Sequence, residues 1–310
     1  MQQLHFAPLQ GFTDYVYRNM HSKHFGCIDV YYTPFIRLES GKSFRNKDIK
    51  DVAPEQNETE NLIPQVIAGE AEELRLLIGL LIEKGHRKID LNMGCPFPML
   101  ANKQKGSGIL PYPEKVRILL DVIRDFPNIT FSLKLRLGWN DPEECLKLIP
   151  LLNEAPLSHI ALHARVGIQQ YKGEVDLNAF GRFYELCKHP LIYNGDLLTV
   201  SDIQIITEQF PRLQGIMIGR GLLADPALAM EYKTGISLTS RERSEKYRLF
   251  HDELYTTYAG ILQGDHQVLN KMKTLWEYFM PATNKKVLKK IKKSSTLSGY
   301  QTAVNEALHS

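Results

Sequence analysis

The sequence predicts an α/β fold: a (β/α)₈ TIM barrel followed by a small C-terminal helical domain. Three observations carry this expectation. Eight short apolar, β-rich runs recur along the first 221 residues. Segments of helical periodicity fill most of the gaps between them. Polar residues gather at the C-terminal end of the runs. Strands alternating with helices imply parallel pairing and a closed barrel. A doubly wound open sheet is the competing architecture. The polar rim decides for the barrel, whose active sites lie on that face.

The runs are 4–10, 29–35, 62–69, 88–94, 130–137, 159–165, 190–196 and 215–221. Their rim residues are Gln10, Gln65 with Gly69, Asn92 to Cys95, Lys134 with Arg136, His163 with Arg165, Asn194 to Asp196, and Gly219 with Arg220. The clearest helix is 70–84, where Leu74, Leu77, Ile78 and Leu81 share one face. Asn140-Asp141-Pro142-Glu143 and Ala224-Asp225-Pro226 read as helix starts, a cap followed by proline in the first turn. After about residue 240 the strand runs cease, and 241–262, 266–280 and 285–293 read as helices, with Pro281 as a break. The expected division is a catalytic barrel over 1–238 and a helical domain over 239–310.

Composition narrows the function classes. A chain of 310 residues, 43% hydrophobic and 24% charged, buries a core without disulfides or structural metal. The four cysteines, Cys27, Cys95, Cys145 and Cys187, form no CxxC pair. That speaks against a zinc knuckle or disulfide framework and fits a reducing, cytoplasmic setting. Met1-Gln2-Gln3-Leu4 opens neither a basic n-region nor a long apolar stretch, so no signal peptide is expected, and no apolar run approaches the ~20 residues of a membrane span. No metal and no membrane partner are expected, and a monomer is. The net charge of +3 is weak evidence for nucleic acid, so the placement of charge matters more.

Several constellations carry chemistry. Asn194-Gly195-Asp196 and Gly219-Arg220-Gly221 end the seventh and eighth runs, where barrels commonly bind phosphate. Glycines let backbone N–H groups approach an anion, and arginine adds charge-assisted bonds; the bland alternative is tight turns. Lys134 and Arg136 alternate with leucines, so period two turns both charges to the barrel interior. Such a charge needs an anionic partner. A reduced flavin edge, a Schiff-base role, or a salt bridge to Asp90 or Asp196 each satisfies it. His163 is either a ligand contact or a satisfied structural histidine. Gln65 is an amide inside an apolar strand, and a heterocycle edge supplies the donor and acceptor it needs.

Cys95 ends the fourth run and opens a long loop reaching Gly106-Ser107-Gly108. A thiol of ordinary pKa near 8.5 is protonated at neutral pH and serves as a general acid; a small core hydrophobe is the alternative. The segment 284–293 (NKKVLKKIKK) holds six lysines around Val287, Leu288 and Ile291. On a helix this makes a basic face, either simply solvated or set against nucleic-acid phosphates. Lys271 and Lys273 add to it, and Lys286, Lys289, Lys290 and Lys293 are the contacts expected from that face. Arg37, Lys42, Arg45 and Lys103 in the barrel loops are the alternative holders of RNA.

Seven motifs in order now carry a resemblance. They are Ala7-Pro8-Leu9-Gln10-Gly11-Phe12-Thr13-Asp14, Gln65-Val66-Ile67-Ala68-Gly69, Asn92-Met93-Gly94-Cys95-Pro96, Lys134-Leu135-Arg136-Leu137-Gly138-Trp139, His163-Ala164-Arg165, Asn194-Gly195-Asp196 and Gly219-Arg220-Gly221. The chain resembles the bacterial tRNA-dihydrouridine synthases from residue 4 to about 235, and more loosely beyond. The resemblance implies an FMN-dependent enzyme that uses NADPH to reduce the C5=C6 bond of uridine in tRNA. By it, Pro8, Leu9 and Gln10 lie along the flavin ring, and Gln65 and Lys134 bond its polar edge. His163, Asn194, Gly195, Asp196, Gly219 and Arg220 make further flavin and phosphate contacts. Cys95 is the proton donor to C5, with flavin hydride going to C6. Asn92 lies by the target uracil, and Arg136 and Arg165 serve the substrate. Two departures stand out: Leu9 replaces the usual Met, and His163-Ala164-Arg165 the commoner His-Gly-Arg. Small-molecule FMN barrels, a Schiff-base lyase and a non-catalytic RNA-binding barrel are the rival readings. The Lys-rich helices argue against the first, because a small substrate needs no basic appendage.

Overall fold

The computed structural model describes residues 2–39 and 43–308; Lys42 lies outside the described residues. The strands are β1 Gln3–Phe6, β2 Val30–Tyr32, β3 Leu62–Ile63, β4 Gln65–Val66, β5 Lys88–Met93, β6 Thr130–Gly138, β7 Leu157–Val166, β8 Leu191–Asn194 and β9 Gly215–Ile218. All pairings are parallel, in the order β3-β2-β1-β9-β8-β7-β6-β5-β4.

The two ends of that order are halves of the single run expected over 62–69. Pro64 separates them. Proline has no N–H for a ladder, so the run changes partner there. Leu62 pairs with Tyr31, and Gln65 pairs with Asp90. Ile36 N donates to Gln65 O (2.8 Å) and Ile67 N to Ile36 O (3.0 Å), which carries the ring across the break. The result is a (β/α)₈ barrel with its third stave broken in two. β1 and β9 stop at Phe6 and Ile218, short of the predicted runs, because the chain leaves the ladder there to build the rim.

The helices follow their sequence signals. Helix Ala71–Glu83 buries Leu74, Leu77, Ile78 and Leu81. Asp141 caps helix Pro142–Asn153 by accepting from Glu143 N (2.9 Å). Asp225 accepts from Ala227 N (2.9 Å) just before helix Leu228–Thr234. Beyond the barrel run helices Ser240–Ile261, Gly264–Leu275, Lys285–Lys293 and Leu297–Leu308. The predicted helix over 266–280 ends at Leu275, and left-handed Met280 (φ 49°) turns the chain. The last helix was not anticipated. Its buried face of Tyr300, Ala303, Val304, Ala307 and Leu308 leans on small residues that give a weak apolar signal. No helix among the described residues is long and apolar enough to cross a membrane.

The C-terminal helices share one continuous core with the barrel. Tyr247, Phe250, Leu254 and Tyr258 join the same buried cluster as the strand residues. Phe250 packs edge-on against Tyr17 (5.5 Å between centroids) and Phe25 (5.2 Å). A polar latch crosses the seam. Asp14 caps helix Tyr15–His24 by accepting from Tyr17 N (3.1 Å), accepts from Tyr258 Oη (2.7 Å), and pairs with Lys271 Nζ (2.7 Å). Lys271 Nζ also donates to Gly11 O (2.8 Å). Burial alone raises the Asp14 carboxyl, but the Lys271 ammonium and Tyr258 hydroxyl outweigh it and hold its pKa below the ordinary value. Lys271 is thus engaged inside the protein rather than presented to RNA.

Asp14→Ala strips the mostly buried Lys271 ammonium of its anion. The expected loss is about 3 kcal/mol of unfolding free energy at pH 7, read from the urea midpoint at unchanged slope. A loss under ~1 kcal/mol contradicts the latch.

Candidate active site

A cavity of about 630 Å³ opens at the C-terminal ends of the strands, within the ~300–1,000 Å³ range of small-molecule sites. Pro8, Leu9 and Gln10 line it beyond β1, Asn92 and Cys95 from β5, and Lys134 and Arg136 from β6. His163 comes from β7, Asn194, Gly195 and Asp196 from β8, and Gly219 and Arg220 from β9. Gln65 and Arg165 lie behind this lining.

Two cations lie in the floor, Arg136 buried and Lys134 half-buried. Lys134 Nζ donates to Asn194 Oδ1 (3.1 Å), and Asn194 is oriented by its own bond to Met217 O (2.8 Å). The Lys134 bond therefore goes to an amide rather than to Asp90 or Asp196. Burial pushes the Lys134 pKa down to about 8; Arg136 adds to the shift, and Asp90 opposes it through space. Arg136 is buried and donates to two backbone carbonyls, Gly94 O (3.0 Å) and Val166 O (3.0 Å). Its pKa is pushed down to about 10, chiefly by burial. Burial and the neighbouring Arg136, Lys134, Arg165 and Arg220 keep His163 neutral at pH 7.

Asp196 is shared by two guanidinium groups, accepting at Oδ1 from Arg165 Nη1 (2.8 Å) and Arg220 Nη2 (2.8 Å). The two arginines outweigh the burial that would raise its carboxyl, and its pKa falls below the ordinary value. Arg165 is buried and also donates to Gly173 O (2.6 Å). It braces Asp196 from behind instead of reaching the substrate space. The glycines allow close approach of the rim loops. A Cβ at Gly221 would sit 2.0 Å from Leu197 O, so the loops after β8 and β9 touch only because it is absent. Gly195 (φ +148°) and Gly219 meanwhile expose backbone to the cavity.

Cys95 stands two residues beyond β5, directly before Pro96. Its N–H donates to Asn92 Oδ1 (2.8 Å), and its carbonyl accepts from Ser107 N (3.0 Å) and Ser107 Oγ (3.0 Å). Gly106 has φ +60°, and a Cβ there would lie 2.5 Å from Cys95 O. Only glycine lets the loop fold back onto the cysteine. The Lys105–Glu73 ion pair (2.5 Å) anchors the same loop. Burial raises the Cys95 thiol pKa, against the pull of Arg136 and Lys134, so the thiol is protonated at neutral pH.

Gln65 is fully buried and its amide is spoken for. Nε2 donates to Asp90 Oδ2 (2.7 Å), and Oε1 accepts from Asn92 Nδ2 (2.7 Å). The expected heterocycle edge is replaced by two side chains of β5.

Sequence reasoning missed several lining residues, among them Phe35, Phe97, Tyr171 and Tyr278. Tyr171 is 43% exposed and lies under two guanidinium groups, Arg220 at 4.5 Å and Arg136 at 5.4 Å from its centroid. Its one signal was an aromatic side chain isolated in the polar stretch Gln169-Gln170-Tyr171-Lys172. Tyr278 reaches the cavity from the C-terminal region and packs edge-on against Phe12 (5.1 Å).

The basic helix Lys285–Lys293 buries Val287 and Ile291 and leaves Lys286, Lys289 and Lys293 exposed. Lys290, also exposed, pairs with Glu306 (2.7 Å), and Lys273 is half-buried. Arg37 and Arg45 line the cavity, Arg45 paired with Asp48 (2.7 Å), and Lys103 is exposed. Among the described residues no group of His, Cys, Asp and Glu is placed to hold a metal ion.

Comparison with known proteins agrees with this geometry. A tRNA-dihydrouridine(16) synthase of Pseudomonas putida is 30% identical over 237 residues, covering 74% of this chain and 72% of that protein. A tRNA-dihydrouridine synthase B of Pasteurella multocida is 26% identical over 227 residues, covering 73% and 67%. Among solved structures, morphinone reductase in complex with tetrahydroNAD superposes with a TM-score of 0.55 at 11% identity, covering 76% of this chain and 88% of that one, a likeness of fold alone. Residues 5–309 match the family described as dihydrouridine synthase (Dus), and the chain belongs to that family.

Proposed function

We propose that this enzyme, an oxidoreductase of the dihydrouridine synthase family, reduces the C5=C6 bond of uridine in tRNA to 5,6-dihydrouridine, using FMN and NADPH. The observation that carries the reading is a protonated thiol, Cys95, on the wall of the cleft that holds the desolvated Lys134. The donor set fits the flavin. Lys134 and Arg136 are cations bonded to neutral acceptors, and a buried cation favours an anionic ligand. Pro8, Leu9 and Gln10 would flank the ring, Lys134 its polar edge, and Gly195, Gly219 and Arg220 the phosphate. When bound, the flavin supplies the hydride, drawn from NADPH, that C6 of the uracil receives.

The chain's own residues do the rest. The target base leaves the RNA stack, since the reaction cannot occur inside it. Asn92 lines the cleft beside Cys95, and the Nδ2 hydrogen not used on Gln65 would donate to the uracil. Cys95 holds a proton at Sγ and delivers it to C5, and the pairing of Lys105 with Glu73 keeps its loop in place. The helical region 239–310 is the RNA-binding unit, with Lys286, Lys289 and Lys293 on its open basic face. A tRNA substrate places the enzyme in the cytoplasm.

Cys95→Ala tests the assignment. The variant keeps its flavin and the rate of flavin reduction by NADPH. Oxidation of the reduced enzyme by tRNA falls by roughly 10²–10⁴-fold, the usual worth of a general acid. Near-normal oxidation by tRNA returns Cys95 to a packing role.

The basic face has its own test. Changing Lys286, Lys289 and Lys293 together to Glu weakens tRNA binding and flattens its salt dependence, by about 0.9 in the log–log slope per lost duplex phosphate contact. Filter binding at three salt concentrations reads both quantities. Unaltered affinity and slope move the RNA onto barrel-loop residues such as Arg37 and Lys103.

A further inference from the structure

The hydrogen bonds beneath the cleft run in one direction. A carboxylate only accepts, and a backbone N–H only donates. Asp90, fully buried, accepts from Ser132 Oγ (2.5 Å) and Gln65 Nε2 (2.7 Å). With its nitrogen turned to Asp90, Gln65 presents Oε1 to Asn92 Nδ2 (2.7 Å). Asn92 then turns Oδ1 to the N–H groups of Gly94 (3.0 Å) and Cys95 (2.8 Å). The carboxylate at one end and the backbone donors at the other require the same orientation of both amides. Reversing either amide sets donor against donor and acceptor against acceptor among mostly buried groups, at the cost of unsatisfied bonds.

We propose that Asp90, which does not itself line the cleft, is a positioning residue for the reduction of uridine: its negative charge sets the direction of the Gln65–Asn92 chain and thereby holds Cys95 for proton delivery. The proposal rests on the function given above. It assigns Gln65 to the same task, as the middle link.

The groups facing Asp90 come from three neighbouring strands. β6 supplies Ser132 and the Lys134 ammonium, β4 supplies Gln65, and β2 supplies the Tyr32 phenol, raised by burial and further by Asp90 itself. Burial pushes the Asp90 carboxyl up to about 6, against the bonds from Ser132 and Gln65 and the field of Lys134. Above that pH the carboxylate is ionised and the chain has its direction. Below it, the protonated carboxyl becomes a donor as well, and only the backbone N–H groups at the far end still fix the direction.

Labelling with ¹⁵N-cysteine gives one backbone amide signal for each of the four cysteines, and the signal lost in Cys95→Ala is that of Cys95. In the wild-type protein the Cys95 amide proton shifts through a transition centred near pH 6. Asp90→Asn, nearly isosteric, abolishes the transition. Gln65→Leu abolishes it too, although Asp90 is still present to titrate. A transition that is absent from the wild type, or that persists in either variant, overturns the proposal. With reduced enzyme, Asp90→Asn slows oxidation by tRNA roughly tenfold, the difference between a charged and a neutral acceptor. Flavin content and reduction by NADPH do not change. An unslowed variant also overturns the proposal. If tRNA fails to oxidise the wild-type enzyme, the proposed function fails, while the amide titration still judges the chain.

Discussion

The mouth of this barrel is organised around positive charge that has been taken out of water. Lys134 and Arg136 project from one strand, β6, and make their hydrogen bonds to neutral groups. Desolvating a cation is costly unless something anionic answers it. The depressed pKa values of both side chains express that cost. Asp90 answers part of it from below, through space. Asp196 answers Arg165 and Arg220 on the far rim. What remains is a cleft with positive walls and a protonated thiol on one side. The same field keeps His163 neutral. The proposed flavin, with its phosphate and electron-rich ring edge, would answer this charge, and a neutral ligand would not.

The rigidity of the site comes from backbone as much as from side chains. Cys95 is held from three directions: by Asn92 at its N–H, by Ser107 at its carbonyl, and by the missing Cβ of Gly106. On the opposite wall the segment Pro8–Thr13 is tied to the C-terminal helices. Lys271 grips Gly11 O, and Tyr278 packs on Phe12. The helical region therefore shapes the cleft directly. Helices and barrel form one continuous body, joined through a shared hydrophobic core.

The alternation of strands and helices was legible because each run carried its own pattern of apolar residues and caps. The rim was legible for the same reason: polar side chains at strand ends are local facts. Cys95, Lys134 and Arg220 all line the cleft as read. Long-range pairing was not legible. Gln65 meets a partner 25 residues away, and Lys271 one 260 residues away, so both looked available for ligands in the sequence. Arg165 and Lys290 likewise each meet a carboxylate that the sequence does not place beside it. Tyr171 escaped notice because its importance is purely positional, a ring laid under two arginines. Pro64 was visible within its run, but closure of a ring through a broken stave depends on both neighbours at once.

The most direct test of the cationic cleft is the affinity of flavin-stripped protein for FMN and for riboflavin, which differ only in the phosphate. Fluorescence titration at low and high salt measures both. The account predicts FMN binding tighter by roughly a hundredfold or more, the worth of one or two charge-assisted bonds, with most of the difference lost in Arg220→Ala. Equal affinity for the two flavins, or a preference untouched by Arg220→Ala, contradicts it.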